Sequence, residues 1–523
     1  MKRLVLLAAL AAAVVFLAGE IPYATARSAS PAGYEFGGRL RWVDDLNMYF
    51  SFIRQAADGH ALFVNRLTHE PHAPVFFNPQ WLAVGLATRW AALSDTAVFA
   101  GWRAAGVLLL ALGFAALLAA ARTPPASRPW ALWLFLTGSG FGWLAAGLGV
   151  RGFRLDLDSG FTPFAQATLN PHFSAPHGLV LLVLACLLRG EQESGPRWYL
   201  AASVLALLEG LSRPYDLITL WMALPLFALA SPPREAAVRR TLWRLLPLVA
   251  TVPALLYTYF LFGRHPVFHY WASQGHTPPV TVLEHLASLG LVGIVAAWRL
   301  ARRKAFPLAP GEVLLLAWLV TVLVIVHASK VVPSLPFSAQ NGMTVMAPVV
   351  VLGLPLLERW TTAAGRRRTL LGSVVVINAI ASVVLLRELT AVTSTHLGNY
   401  HIRTADLEAF AWLRGHARET DVILADYLDG NRLGRFVSAR VVLGHYSVTP
   451  NAAVLDARIR ELLAGTVSVE DARAQLASWN VRWIYASPRE HPDAVFPRLP
   501  DCGRAFSVRA VTIYDCALTQ LQP

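Results

Sequence analysis

The sequence predicts a membrane all-α helical bundle of about eleven transmembrane helices, followed by a C-terminal extracytoplasmic α/β domain. Three observations lead there. Of the 523 residues, 55% are hydrophobic and 15% charged, whereas a soluble domain is about 25% charged. The mean hydropathy is +0.47, and the apolar residues fall in runs approaching the ~20 that cross a bilayer. Third, Arg and Lys collect in alternate gaps between those runs: Lys2-Arg3, Arg122/Arg128, Arg189/Arg197, Arg234/Arg239/Arg240/Arg244, Arg299/Arg302/Arg303/Lys304 and Arg359/Arg366/Arg367/Arg368. Positive loops stay cytoplasmic. The other gaps, carrying Asp, His, Asn, Trp and Pro, therefore mark the outer face, and the polar chemistry gathers there.

The apolar runs are 4–18, 98–121, 129–149, 174–189, 197–212, 215–231, 242–262, 280–300, 312–328, 341–358 and 370–389. An odd count starting inside puts every basic cluster in the cytoplasm and the C-terminus outside, as in a multi-pass protein of the inner (plasma) membrane. The first run has two readings. Lys2-Arg3, a short apolar stretch and Ala24-Thr25-Ala26 have the form of a cleaved signal peptide, or the run stays as an anchor helix; either way residue 27 starts outside. The run at 80–94 is interrupted by Arg89 and reads as a helix lying on the outer interface. The membrane domain is thus 1–394, with a long first outer loop at 19–97, and the tail domain is 395–523.

The tail changes character. Helical pattern at 404–418 and 452–477 alternates with strand-like runs at 422–425, 441–444 and 483–486, the order of a small α/β domain. Cys502 and Cys516 bracket two runs that read as a hairpin. Disulfides persist outside the cell, so these two are expected to be joined, with two free thiols as the other reading. The net charge of +13 follows from topology, with membrane lipids as the counter-surface. No basic-aromatic module accompanies it, so nucleic acid is not an expected partner.

The residues with chemistry sit in the outer segments. Asp44-Asp45, in Arg41-Trp42-Val43-Asp44-Asp45-Leu46, are adjacent carboxylates that repel one another. Such a pair serves as a base or cation site, or else as a helix cap and first-turn acid. Asp156, Asp158 and His172 in the second outer loop are of the types that hold a divalent metal, without a tight ligand spacing. Arg213, Arg264, His265 and Lys330 supply positive charge on the same side. Ionisable groups in spans are costly and commonly functional, and here they lie near the outer ends.

This layout resembles the GT-C superfamily of integral-membrane glycosyltransferases, which includes the protein O-mannosyltransferases and the lipid A aminoarabinose transferase. The likeness rests on a first helix, a long outer loop with an acidic pair at Asp44-Asp45 and Tyr49, many further spans, and an outer α/β tail around Ala409-Trp412-Leu413 and Asp421-Val422-Ile423-Leu424. It implies transfer of a sugar from a polyprenyl-phosphate donor to an acceptor (glycan, lipid or protein) with inversion. Asp44 or Asp45 would take the acceptor's proton, Asp44 first, and Arg213, Arg264, His265 or Lys330 would hold the donor phosphate. A transporter or flippase of a lipid-linked glycan is the second reading. It lacks the repeated halves and broken mid-membrane helices such proteins carry. A non-enzymatic membrane scaffold is the third.

Overall fold

The computed structural model describes residues 2–150, 153–158, 160–193, 195–232, 237–275, 280–302, 308–328, 332, 338–363, 366–487, 499 and 501–516. Lys330 lies outside them. The chain divides into two compact units. One comprises 1–24, 99–258 and 276–392; the other comprises 25–98, 259–275 and 393–523.

The first unit is helical because its runs are rich in Leu, Ala and Val, and a helix satisfies its own backbone in lipid. Among the described residues, seven helices are long and apolar enough to cross a membrane: Lys2–Ser28, Asp95–Ala120, Pro171–Glu193, Val238–Arg264, Val282–Ala301, Pro310–Ala328 and Arg368–Ser394. Pro196–Ser212, Tyr215–Ala230 and Met346–Ala363 are further helices that overlap predicted runs.

The run at 129–149, expected as one span, is two short helices, Arg128–Leu136 and Gly142–Gly147. The break has a packing cause. A Cβ on Gly140 would stand 2.2 Å from the Ala287 carbonyl oxygen, so the two backbones touch there. The opposing helix Val282–Ala301 is itself interrupted at Gly290, with φ 59. A Cβ at Gly290 would meet the Ser139 carbonyl at 2.6 Å. The freed amides of Gly140 and Gly142 donate to Asp156 Oδ2 at 2.8 and 3.2 Å.

Several charges in this unit are paired. Arg213 bonds Asp216 at 2.8 Å, Arg244 bonds Glu191 at 2.6 Å and Arg299 bonds Glu312 at 2.7 Å. Arg103 bonds Glu20. A lone charge away from water costs several kcal/mol, and a hydrogen-bonded partner offsets part of that.

The second unit is α/β. Its main sheet has the order β4-β3-β5-β7-β6, built from β3 (Val422–Leu424), β4 (Arg440–Val441), β5 (Val481–Ala486), β6 (Cys502–Val508) and β7 (Val511–Cys516). β3 runs parallel to β4 and β5, while β7 is antiparallel to β5 and β6. Helices Thr404–His416, Tyr427–Phe436, Ala452–Ala464 and Val469–Ser478 accompany it. Ile459, Leu462, Leu476, Trp479 and Ile484 form much of the core between sheet and helices. Cys502 and Cys516 face each other in register and are disulfide-bonded, with Cα atoms 4.1 Å apart.

Residues of the first outer loop complete this unit. β1 (Tyr34–Phe36) pairs antiparallel with β2 (His401–Arg403). At the β4 edge of the main sheet, the Val441 and Gly444 amides donate to Arg66 and Leu67 carbonyls at 2.9 and 3.0 Å. The free side of β4 is thus covered, which removes an exposed sheet edge. The loop's own helices are Val43–Asp58 and Pro79–Ala91. The second lies within the run read as interfacial, and its Trp81 stacks on Phe52 at 4.9 Å. The tail begins at 393 in this division, beside the predicted boundary at 394/395, and 25–98 falls in the same unit as the tail.

Candidate functional site

Parallel strands leave their carboxyl ends on one edge of a sheet, and ligands of such sheets bind beyond that edge. In the second unit β3 runs out into Asp426 and Tyr427, and β4 runs out toward His445. Against these ends lies the first turn of helix Val43–Asp58, carrying Asp44 and Asp45. The result is an open cleft of about 670 Å³ whose walls include Arg41, Trp42, Asp44, Asp45, Tyr427 and His445.

Neither aspartate is the helix cap. That position belongs to Trp42, in the left-handed region at φ 50, with no side-chain cap bond. A bulky residue held there stores strain of order 1–3 kcal/mol, a cost found most often at functional sites. The carboxylates bond elsewhere. Tyr427 donates its hydroxyl to Asp44 Oδ2 at 2.5 Å. Burial, and then the Asp44 carboxylate, hold the Tyr427 phenol above the usual tyrosine range, so it remains a donor.

Asp45 Oδ1 lies 3.0 Å from His445 Nε2. The Ser447 amide donates to His445 Nδ1 at 3.1 Å. An amide donor requires an unprotonated Nδ1, so the neutral ring carries its proton on Nε2 and gives it to Asp45. The His445 side chain is 7% exposed and that of Asp45 42% exposed. Among the described residues His445 is the only hydrogen-bond partner of the Asp45 carboxylate.

Asn431 fixes this corner. Its Nδ2 donates to the Gly444 and Asp44 carbonyls at 2.8 and 3.2 Å. Its Oδ1 accepts from Asn47 at 2.8 Å. One buried amide therefore ties the helix with the acids to the loop bearing His445.

The other expected residues are not among those lining this cleft. Arg213 belongs to the first unit, is fully buried, and bonds Asp216 and the Gln340 carbonyl, each at 2.8 Å. Arg264 bonds Tyr259 at 2.8 Å and His265 packs its ring on Phe268 at 5.1 Å. Neither lines the cleft. Asp156 is engaged by two backbone amides, as above, and the ring of buried His172 packs on Phe173. The side chain of Asp158 lies outside the described residues. Among the described residues no group of three or more His, Cys, Asp or Glu is placed to hold a metal. No step below is routed through a metal ion.

Sequence reasoning missed His445, Tyr427 and Arg41. For His445 a signal existed, because it follows the strand-like run 441–444 at the end where parallel sheets bind ligands.

No protein-family model matches the chain, and no curated protein matches it. Solved structures do. ArnT from Cupriavidus metallidurans, bound to undecaprenyl phosphate, superposes with a TM-score of 0.57 at 14% identity, covering 96% of this chain and 97% of that one. The chain has the GT-C fold. The arabinofuranosyltransferase AftD from Mycobacteria, in its R1389S mutant form, gives a TM-score of 0.56 at 14% identity, covering 97% of this chain and 41% of that one. The oligosaccharyltransferase AglB from Archaeoglobus fulgidus, in complex with an inhibitory peptide and a dolichol-phosphate, gives 0.52 at 11% identity, covering 91% and 69%.

Proposed function

We propose that this chain is a membrane glycosyltransferase that moves a sugar from a polyprenyl-phosphate carrier to an acceptor hydroxyl at the outer face of the membrane. One observation carries the reading. Two adjacent carboxylates line an open cleft and are bonded to a phenol and an imidazole, with no Arg or Lys within ion-pair distance among the described residues. The fold agrees with it, and the ArnT and AglB structures were solved with polyprenyl-type phosphates bound.

The two acids divide the work. Asp44 is committed to Tyr427 and shapes the cleft. Asp45, whose side chain is 42% exposed, is the general base, so the order expected from sequence is exchanged. Its oxygen takes the acceptor O–H proton as the acceptor oxygen bonds to the anomeric carbon. The bond from that carbon to the carrier phosphate oxygen breaks, and its electron pair leaves with the phosphate. Direct displacement inverts the anomeric centre. Arg41 in the cleft wall offers the departing phosphate positive charge. His445 positions Asp45 and holds one of its oxygens.

The test is incubation of purified protein with a panel of polyprenyl-phosphate sugars. Release of free carrier phosphate with at least one donor is expected, and none with any donor would remove the reading. The topology that goes with it is N-inside and C-outside. A reporter active only outside should work when fused after residue 394 and stay silent at Arg303; the reverse would place Asp45 on the wrong face.

A further inference from the structure

A second cleft in the same unit, about 430 Å³, is lined by Arg54, Asp95, Arg414, Arg435 and Phe436 among others. It shares no residue with the cleft around Asp45. Its charges do not balance. Arg435 Nε lies 3.0 Å from Asp95 Oδ2, and Arg54 Nη2 lies 4.0 Å from Asp95 Oδ1. Buried Arg39 also acts on this carboxylate. Arg414 is exposed at the cleft, with no carboxylate within ion-pair distance among the described residues. Glu35 lines the rim and Asp58 acts on Arg54, but both are exposed, where water screens them.

Half-buried cations that outnumber their partners are costly. Burial first, and then the neighbouring Arg414 and Arg435, pull the Arg54 guanidinium below its ordinary range, while Asp95 opposes them. An added oxyanion relieves this, and guanidinium forks take phosphate or carboxylate through paired hydrogen bonds. The rest of the wall suits a sugar: Thr88, Ser94 and Thr96 bring hydroxyls, and Phe436 brings an aromatic ring. The volume falls in the roughly 300–1,000 Å³ range of small-molecule sites.

We propose that this cleft binds an acidic saccharide, with its phosphate or carboxylate seated at Arg54 and Arg414 and its hydroxyls at Ser94 and Thr96. Asp95 and Arg435 hold the guanidinium of Arg54 in place. The proposal stands apart from the transferase reading, because binding is measured without turnover.

The test is calorimetric titration of the full-length purified protein with glucose 6-phosphate, glucuronate and glucose. Both acids, or one of them, should bind at least about tenfold more tightly than glucose, and a single binder identifies the group recognised. Arg414→Ala, at an exposed position, should weaken acid binding about tenfold or more, and Asp45→Asn should leave it unchanged. Acids binding no better than glucose, an unaltered affinity in R414A, or a loss in D45N would each overturn the proposal.

Discussion

Two sets of carboxylates in the molecule are held differently. In the first unit Glu20, Glu191, Asp216, Glu312 and Glu388 each meet an arginine. In the second, Asp44 and Asp45 meet a phenol and an imidazole and face a cleft. A carboxylate locked to a guanidinium is a poor base, since the pairing favours its charged form. One held by neutral donors keeps its ability to accept a proton. Ion pairing in the first unit therefore serves the fold, whereas the role proposed for Asp45 calls for a carboxylate without an arginine partner.

The comparison breaks or sharpens at identifiable residues. The largest expected effect on stability is at Arg299, which makes a two-pronged contact with Glu312 at 2.7 and 2.8 Å. Arg299→Leu leaves a buried carboxylate unpaired and should cost about 3–5 kcal/mol, read as a lower melting temperature in detergent. A change under about 1 kcal/mol would mean that these pairs do not hold the bundle. Next is Asn431→Ala, which strands the Gly444 and Asp44 carbonyls and should cost about 1–3 kcal/mol while also loosening the cleft. Unchanged stability would show that the corner is fixed by other contacts.

The smallest effect is a pH dependence at His72. Burial lowers its pKa from 6.5 to about 4. The Asn65 amide donates to Nε2 at 2.9 Å, and Nδ1 lies 2.8 Å from the Glu70 carbonyl. The folded unit thus favours the neutral ring. With the folded pKa below the unfolded value, this stabilisation is full above about pH 6.5 and is lost as pH falls toward 4. After allowance for solvent screening it amounts to about 1–2 kcal/mol. His72→Gln should flatten the fall in melting temperature over that range, and an equal fall in both proteins would assign it to other groups.

Much of the fold was legible because lipid simplifies the code. Apolar length and loop charge are strong signals, and each predicted run contains helix in the structure. What escaped depended on close approach between distant segments. The break near Gly140 comes from the Ala287 backbone, 147 positions later by residue number (287 − 140), and no local pattern reports it. The tail's strands at 422–425 and 483–486 were readable as short apolar runs, whereas helix Tyr427–Phe436 contains Gly430 and Gly434 and buries Asp429, Asn431, Arg432 and Arg435, a composition that reads as a polar loop. The acidic pair was visible as Asp44-Asp45. Its partners were not, because Tyr427 and His445 lie 383 and 400 residues away.

The central claim is that Asp45 is the base and Asp44 is not. The most direct measurement is the rate of carrier-phosphate release by wild type, Asp45→Asn and Asp44→Asn, each with unchanged melting temperature. Loss of a general base typically lowers the rate about 10²–10⁴-fold, so D45N should fall by that amount and D44N by clearly less. Near-wild-type turnover in D45N, or a deeper loss in D44N, would contradict the account.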